Sequence, residues 1–388
     1  MPIHPKQSRL SCPETAVLRV VDASINRAME GLRVVEDFVR FVQDDLHLSH
    51  LTKAVRHDLA SWVSDQIPHA IQLHGSRETI HDVGTQITVA AETHRETPMS
   101  VCTASFQRIK QALRSLEEFA KLTTPQHAVA LEALRYRVYT LERCVTLAVS
   151  SCERLKASQL CVLIDSSERD RGSKELGFST LVKELVEAGV GTIQLRDKQL
   201  GDANLIARAR RLVELTRPSP SATSHKQTTP WKEGPRQVGQ WEERRTLAII
   251  NDRPDIAAIT LADGVHLGQD DMSVKDARMI VGPQALIGRS THSIEQARTA
   301  VLDGANYLGV GPTFPSSTKV FTDFPGLKLL RQVAKEISLP AYAIGGIHAD
   351  NLEQVLATGI KQIAVSGAVA RNPNPRAEAG KLIRILEG

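Results

Sequence analysis

From residue 159 to the C-terminus, eight short apolar runs alternate with amphipathic segments, and this alternation constrains the fold more than any other feature. The runs lie at 160–164, 192–195, 247–250, 264–267, 285–287, 307–310, 341–344 and 362–365. Helical patterns fall between them, for example at 203–215, 294–302 and 327–337. Strands that alternate with helices form parallel β/α units. Eight units in about 230 residues predict a closed (β/α)8 TIM barrel, with an open doubly wound sheet as the alternative.

The first part of the chain has a different pattern. Its apolar residues recur every three or four positions, as at 131, 134, 138, 141 and 145, which is typical of helices. The 388 residues are also too many for one barrel of about 250 residues and too few for two. We therefore predict a separate, mainly α-helical domain at 1–157, followed by an α/β barrel at 158–388.

One segment interrupts the barrel pattern before its third strand. Residues 217–245 are rich in Pro, Ser, Thr and charged residues and contain two isolated tryptophans. Such a composition predicts a surface insertion. A variable insertion and a partner-binding loop are the two interpretations.

The helical part contains an internal duplication. Residues 20–41 and 101–122 align without gaps at an offset of 81, with eight identities in 22 positions. Because of this similarity we predict a duplicated helical hairpin, in which Ser24 and Ser105 cap the N-termini of equivalent helices. The repeat also retains charged residues at equivalent positions: Arg27 and Arg108, Arg33 and Arg114, and Glu36 and Glu117.

The repeated charges have two interpretations. An Arg and a Glu three positions apart on a helix form an ion pair, which is a purely structural role. Alternatively, Arg27, Arg33, Arg108 and Arg114, with their two glutamates, line a cleft for a phosphorylated ligand, since arginine binds phosphate through paired hydrogen bonds.

Composition limits the classes of partner. The net charge is +4 and the Lys and Arg residues are scattered, which favours anionic small molecules and argues against a nucleic-acid tract. The five cysteines are odd in number and lack metal-type spacing, which predicts reduced thiols in the cytoplasm. The N-terminus has no signal-peptide pattern, and no run of about 18 apolar residues occurs. We therefore expect a cytoplasmic protein without membrane or nucleic-acid partners, and a homo-oligomer remains open.

Polar and glycine residues close or follow the predicted strands, and in a parallel barrel the loops after the strands open at one face. In chain order they are Gln194, Arg196, Lys198, Asn251, Asp252, Asp270, Asp271, Ser290, Ser316, Ser317, Thr318, Lys319, Gly345, Gly346, Ser366 and Gly367. Carboxylates bind Mg²⁺, cations bind phosphate oxygens, and glycine turns expose backbone N–H groups. The set predicts chemistry on a magnesium-bound diphosphate.

The motifs QLRDK, NDRPD, GVHLGQDD, IGRSTHS, GVGPTFPSSTK, AIGGI and VSGA occur in this order across the barrel. Together they resemble the thiamine-phosphate synthase (thiamine-phosphate pyrophosphorylase) family. The resemblance implies an alkyl transferase of thiamine biosynthesis, which joins 4-amino-2-methyl-5-pyrimidinylmethyl diphosphate to a thiazole phosphate and releases pyrophosphate. The chain departs from the family pattern at Cys161 and Ile164, where the family often has Tyr and Thr.

The resemblance also assigns roles to individual residues by their motif position. It implies that Mg²⁺ is held by Asp252 and Asp271. It implies that the pyrimidine diphosphate is bound by Gln194, Arg196, Lys198, Asn251 and Ser290. The catalytic cations at the leaving diphosphate would be Arg196, Lys198 and Lys319. The thiazole phosphate would be bound by Ser316, Ser317, Thr318, Gly346, Val365 and Ser366. The expected course is a dissociative displacement assisted by Mg²⁺.

The stretch RAMEGLRVVEDFVRF resembles the helical domain fused ahead of this synthase in cyanobacterial-type enzymes. That resemblance implies a kinase that uses ATP to phosphorylate hydroxymethylpyrimidine phosphate. Residues 1–157 contain no P-loop or glycine-rich ATP loop, so a non-catalytic dimerisation or regulatory module remains the alternative. A barrel that only binds thiazole phosphate as a regulator is a more distant alternative, and the intact Asp252, Asp271, Lys198 and Lys319 argue against it.

Overall fold

A computed structural model describes residues 13–66, 70–80, 82, 94–123, 125–165, 174–217, 246–315 and 325–388. The chain forms two compact units, Met1–Val145 and Thr146–Gly388. None of the helices within the described ranges is long and apolar enough to cross a membrane. The insertion predicted at 217–245 lies outside the described residues except for Arg217.

The first unit is helical. Its helices are α1 Pro13–Phe41, α2 Leu46–Gln66, α3 Ala70–Ser76, α4 Pro98–Thr123 and α5 Pro125–Leu155, the last of which continues beyond Val145. Helices α1 and α4 contain the two copies of the repeat and pack closely, because a β-carbon on Gly31 would lie 2.7 Å from the Ile109 side chain. The internal duplication therefore corresponds to two long helices that contact each other.

The predicted helix caps at Ser24 and Ser105 are wrong. Both serines are buried in the interiors of α1 and α4, and the Ser105 hydroxyl donates to the Val101 carbonyl oxygen at 2.9 Å, one turn earlier. The helices begin upstream of the repeat, at Pro13 and Pro98, where proline fits the first helical turn. A serine whose hydroxyl donates to the carbonyl oxygen one turn earlier can lie inside a helix and does not have to cap its N-terminus.

The second unit is a closed parallel barrel. Its strands are β1 Leu160–Ile164, β2 Thr192–Leu195, β3 Leu247–Asn251, β4 Gly264–Leu267, β5 Leu286–Thr291, β6 Tyr307–Val310, β7 Ala341–Ile344 and β8 Gln362–Val365. The helices after α5 are α6 Lys174–Glu187, α7 Asp202–Thr216, α8 Pro254–Thr260, α9 Val274–Val281, α10 Ile294–Asp303, α11 Gly326–Glu336, α12 Leu352–Leu356, α13 Gly367–Ala370 and α14 Pro375–Glu387.

Strand order and register confirm the predicted (β/α)8 barrel and exclude the open sheet. Each strand pairs in parallel with the next, and β1 also pairs with β8, with Val162 opposite Val365. Buried side chains of β1, β3, β6 and β7 fill the interior, including Tyr307 and Tyr342, whose ring centroids are 5.5 Å apart. Since all strands run in one direction, their carboxyl ends meet at a single face.

The prediction that Ser290 follows the fifth strand is wrong, because Ser290 lies inside β5. The strand runs past the apolar stretch 285–287, since Arg289, Ser290 and Thr291 remain paired with β6, Ser290 opposite Gly309. Its side chain therefore belongs to the sheet, which holds it more rigidly than a loop would.

Candidate active site

Two amides meet at neighbouring strands of the barrel. Gln194 is buried in β2, and its Nε2 donates to Asn251 Oδ1, 3.3 Å away, on the last residue of β3. Each amide has both donors and acceptors, so the pair retains hydrogen-bonding groups for a ligand. The predicted binding residues Gln194 and Asn251 therefore lie together.

Two carboxylates meet after β3 and β4. Asp252 has a left-handed backbone, with φ 60, and its N–H donates to the His266 carbonyl oxygen at 2.8 Å. Asp271 Oδ2 accepts from the Gly268 N–H at 2.7 Å, in a turn so tight that a β-carbon on Gly268 would approach the same oxygen to 2.7 Å. Turn geometry thus brings Asp252 and Asp271 within hydrogen-bonding contact.

The contact between the two carboxyl groups moves their pKa values in opposite directions. Burial raises the pKa of Asp252, and the hydrogen bond and negative charge of Asp271 raise it further, although Lys198 acts in the opposite direction. Burial also acts to raise the pKa of Asp271, but hydrogen bonds from Asp252 and the Gly268 N–H, with the charges of Lys198 and Arg289, outweigh it and lower that pKa. Two carboxylates within hydrogen-bonding contact repel each other unless they share a proton or have a cation beside them.

Lys198 supplies positive charge beside this pair. Its Nζ lies 3.2 Å from Asp252 Oδ2, and its side chain is 60% exposed, compared with 23% for Asp252. Arg196, two residues earlier, is fixed through its backbone N–H, which donates to the Ile164 carbonyl oxygen at 2.9 Å. Because the Lys198 side chain is more than half exposed, its ammonium group is accessible to a ligand while it contacts Asp252.

Asp252 and Asp271 are two carboxylates in contact that could hold a metal ion. No group of three or more His, Cys, Asp or Glu side chains gathers into a metal site within the described part of the chain. Mg²⁺ is usually held by one or two carboxylates, with water and substrate phosphate completing its octahedron. Asp252 and Asp271 therefore suit Mg²⁺ better than a metal that needs several protein ligands.

Ser290 has a side-chain partner that was not predicted from the sequence. The Nε2 atom of His266, in β4, lies 2.9 Å from Ser290 Oγ. Burial, with the charge of Arg289, lowers the pKa of His266 to about 4, so its imidazole is neutral at pH 7. A histidine inside the apolar run 264–267 was the available sequence signal, because a buried imidazole requires a polar partner.

The loop that carries Asp271 is attached to β5. Arg289 donates from Nη2 to the Gln269 carbonyl oxygen at 3.2 Å and from Nη1 to that of Met272 at 3.1 Å. The Gln269 side chain donates in return to the Ser290 carbonyl oxygen. These bonds surround Asp271 in sequence and restrict the position of its carboxylate.

Backbone geometry characterises the ends of β7 and β8. Gly345 and Gly346 have positive φ, and a β-carbon on Gly346 would lie 2.7 Å from the Pro315 carbonyl oxygen, so only glycine fits this turn. Val365 is buried, and the Ser366 hydroxyl donates to the Leu163 carbonyl oxygen at 3.2 Å. The predicted residues Ser316, Ser317, Thr318 and Lys319 lie outside the described residues.

In the helical unit each repeated glutamate contacts two arginines. Glu36 Oε2 lies 3.5 Å from Arg33 Nη1 and 2.9 Å from Arg56 Nε. The glutamate is buried, with a side chain 4% exposed, and Arg27 on the same helix is exposed. The repeat did not reveal Arg56, which lies on α2, downstream of the aligned residues.

The second copy has the same arrangement. Glu117 Oε1 lies 2.7 Å from Arg114 Nη1, and Glu117 Oε2 lies 2.9 Å from Arg135 Nε on α5. The Arg135 guanidinium also lies over the rings of Tyr136 and Tyr139. Arg108, like Arg27, is exposed. Both copies thus have a buried glutamate between a half-exposed arginine and a more buried arginine from the following helix.

Comparison with known proteins gives matches to both units. A family model described as thiamine monophosphate synthase matches residues 225–369, and one described as the ThiD2 family matches residues 19–144. The chain is similar to a thiamine-phosphate synthase of Rhodopirellula baltica, at 40% identity over 96% of this chain and 93% of the relative. It is also similar to one of Synechocystis, at 34% identity over 96% and 97%. A solved thiamine phosphate pyrophosphorylase from Pyrococcus furiosus aligns with 60% of this chain and 98% of its own, at 30% identity and a TM-score of 0.48.

Proposed function

The chain belongs to the thiamine-phosphate synthase family, and from this membership we propose how its barrel performs the reaction. The barrel transfers the 4-amino-2-methyl-5-pyrimidinylmethyl group from its diphosphate to the nitrogen of a thiazole phosphate, giving thiamine phosphate and pyrophosphate. The observation that carries the proposal is the cluster of Lys198, Asp252 and Asp271 at the ends of three consecutive strands. A carboxylate pair beside a lysine suits a metal-bound phosphate. Without a metal the carboxylates would repel the phosphate, whereas a bound metal cation would attract it.

Asp252 and Asp271 are the residues that would hold Mg²⁺. Their oxygens are hard ligands, already in contact, and they leave most coordination positions to water and diphosphate oxygens. When bound, Mg²⁺ would neutralise negative charge on the diphosphate as it departs. Lys198 and Arg196 would contact the same diphosphate from the end of β2, with Lys319 proposed as a third cation.

The buried amides would bind the pyrimidine ring. An aminopyrimidine presents ring nitrogens that accept hydrogen bonds and an amino group that donates them, and Gln194 and Asn251 can complement both. Held in this way, the ring keeps its methylene carbon beside the cationic side chains. Ser290 would add a hydrogen bond to a diphosphate oxygen.

The reaction needs stabilisation of a leaving group more than a base. The bond between the methylene carbon and the diphosphate oxygen breaks, and its electron pair leaves with pyrophosphate. The aminopyrimidine delocalises the resulting methylene cation, and the thiazole nitrogen then donates its lone pair to form the new C–N bond. That nitrogen carries no proton, so the residues act by charge stabilisation and positioning.

The thiazole phosphate would bind at the loops after β6, β7 and β8. We assign Ser316, Ser317 and Thr318 to its phosphate as hydroxyl donors. Gly346, Val365 and Ser366 would add contacts from the carboxyl ends of β7 and β8.

For the helical unit we propose a kinase that phosphorylates hydroxymethylpyrimidine phosphate and so makes the diphosphate that the barrel consumes. The match to the ThiD2 family over residues 19–144 supports this assignment, with ATP as the phosphate donor. The half-exposed Arg33 and Arg114, and the exposed Arg27 and Arg108, would contact the phosphorylated ligands.

A second candidate for this unit is a non-catalytic dimerisation or regulatory module in a homo-oligomer. It is favoured by the ion pairs themselves, because Arg33 and Arg114 already neutralise buried glutamates. For either role we propose the cytoplasm as the location, and no cysteine within the described ranges forms a disulfide.

The two proposals are tested on the full chain in separate assays. With the pyrimidine diphosphate, thiazole phosphate and Mg²⁺, the synthase proposal predicts thiamine phosphate, and its absence would contradict that proposal. With hydroxymethylpyrimidine phosphate, ATP and Mg²⁺ but no thiazole phosphate, the kinase proposal predicts the diphosphate and ADP. Failure of only the second assay would favour the non-catalytic module.

A further inference from the structure

His266 is a polar side chain in an otherwise apolar strand of the barrel. It lies in β4 between the apolar residues Val265 and Leu267, and its ring centroid is 5.5 Å from that of Tyr307. Its Nε2 atom lies 2.9 Å from Ser290 Oγ on the adjacent strand. Of all the side chains in the described residues, this imidazole is the one hydrogen-bonded to the Ser290 hydroxyl.

The neighbouring strands leave room for the ring. A β-carbon on Gly288 would lie 2.5 Å from His266 Nδ1, and it would also collide with the Tyr307 ring. A β-carbon on Gly309 would lie 3.0 Å from His266 Cε1 and 3.3 Å from Nε2. Glycines in β5 and β6 therefore flank the imidazole, and the packing fixes the direction of its Nε2 atom.

The direction of the bond between His266 and Ser290 determines whether the serine hydroxyl can donate its proton to a ligand. Phosphate oxygens only accept hydrogen bonds, so a serine that binds one must donate its hydroxyl proton to it. The hydroxyl can do so only if its bond with His266 runs the other way, from Nε2–H to Oγ. A hydrogen on Nε2 satisfies this condition.

We propose that His266 is a positioning residue, which donates from Nε2 to Ser290 Oγ and thereby directs the serine proton to the diphosphate. The inference rests on the proposed function, in which Ser290 contacts that diphosphate. His266 does not touch the substrate in this account. Its removal should act only through Ser290 and should affect the pyrimidine substrate rather than the thiazole phosphate.

A double-mutant cycle on the full chain with Mg²⁺ tests this coupling. The variants are Ser290→Ala, His266→Ala and the double variant, with kcat/KM for the pyrimidine diphosphate and KM for the thiazole phosphate as readouts. Loss of one such hydrogen bond should lower kcat/KM by about tenfold in each single variant. The double variant should be no worse than Ser290→Ala alone, and KM for the thiazole phosphate should not change.

Two further variants separate positioning from packing. His266→Gln retains an N–H donor, so it should keep more activity than His266→Ala. His292→Gln is the matched control, since His292 Nδ1 contacts the Gly311 carbonyl oxygen at 2.5 Å. Any decrease in kcat/KM that His292→Gln causes should multiply with the decrease caused by Ser290→Ala when the two changes are combined.

The outcomes are distinguishable. Losses for His266→Ala and Ser290→Ala that multiply in the double variant would overturn the His266 inference and leave the synthase proposal intact. An unmodified chain that makes no thiamine phosphate would overturn the synthase proposal itself. Full activity in Ser290→Ala would overturn the role of Ser290 at the diphosphate, and the inference with it.

Discussion

Lys198 Nζ lies 3.2 Å from Asp252 Oδ2, so an ion pair joins the carboxyl ends of β2 and β3. The same aspartate is in hydrogen-bonding contact with Asp271, which follows β4. Three consecutive strands of the barrel thus contribute to one charged cluster. With both carboxylates ionised its net charge is negative, and a bound divalent cation makes it positive, which is the property that a diphosphate site requires.

The first prediction concerns the acidic pair. Asp252→Asn and Asp271→Asn should each lower the rate of Mg²⁺-dependent pyrophosphate release by at least about 100-fold, because each removes one of the two carboxylates that we propose hold the metal. Asp270→Asn is the matched control, since Asp270 is exposed and adjacent in sequence. Equal losses in all three variants would contradict the assignment.

The second prediction concerns Lys198 and pH. The ammonium group lowers the pKa of Asp252, opposing burial and Asp271, so its removal in Lys198→Met should raise that pKa further. A proton then competes with the metal up to a higher pH. The Mg²⁺ concentration for half-maximal activity should therefore increase more steeply between pH 8 and pH 6 than in the unmodified chain, measured as pyrophosphate release.

Lys198→Arg is the control for this experiment. It keeps the positive charge, so its Mg²⁺ requirement should follow that of the unmodified chain over the same pH range. If Lys198→Met leaves the pH dependence unchanged, the ion pair with Asp252 has no role in metal binding.

The third prediction concerns the buried glutamate of the second repeat. Glu117→Gln should lower the free energy of unfolding of the helical unit by about 2–4 kcal/mol, because it removes the buried carboxylate 2.9 Å from the largely buried Arg135 and leaves only the more distant, half-exposed Glu132 at 3.9 Å. Glu118→Gln, one residue along, should change it much less, since that side chain is 45% exposed and its ion pairs are screened by solvent. Urea unfolding followed by circular dichroism measures both, and equal effects would contradict the structural role of Glu117.

The barrel was predictable from the sequence because β/α alternation is a local signal. Its eight apolar runs coincide with the strands, apart from the extension of β5 to Thr291 and of β3 to Asn251. The extension of β5 was not predictable from hydrophobicity, because Arg289 and Ser290 are polar and remain in the strand through pairing with β6. Whether polar residues extend a strand depends on pairing with the adjacent strand, and the sequence of one strand alone does not reveal that pairing.

Partnerships between distant residues were harder to predict. The gathering of Asp252, Asp271 and Lys198 follows from the common direction of parallel strands, so a strand-end argument found it. The contact of Ser290 with His266 depends on the space left by two glycines, and the contact of Glu36 with Arg56 joins two helices. Neither contact produces a repeat or a spacing pattern.

The central claim is that the full chain is a magnesium-dependent synthase whose metal is held by Asp252 and Asp271. The most direct measurement incubates the purified chain with the pyrimidine diphosphate and thiazole phosphate and quantifies thiamine phosphate and pyrophosphate as Mg²⁺ is titrated. The account predicts equal amounts of both products, dependent on Mg²⁺ and almost abolished by EDTA or by Asp252→Asn. Product formation that is unchanged in EDTA, or undiminished in Asp252→Asn, would contradict it.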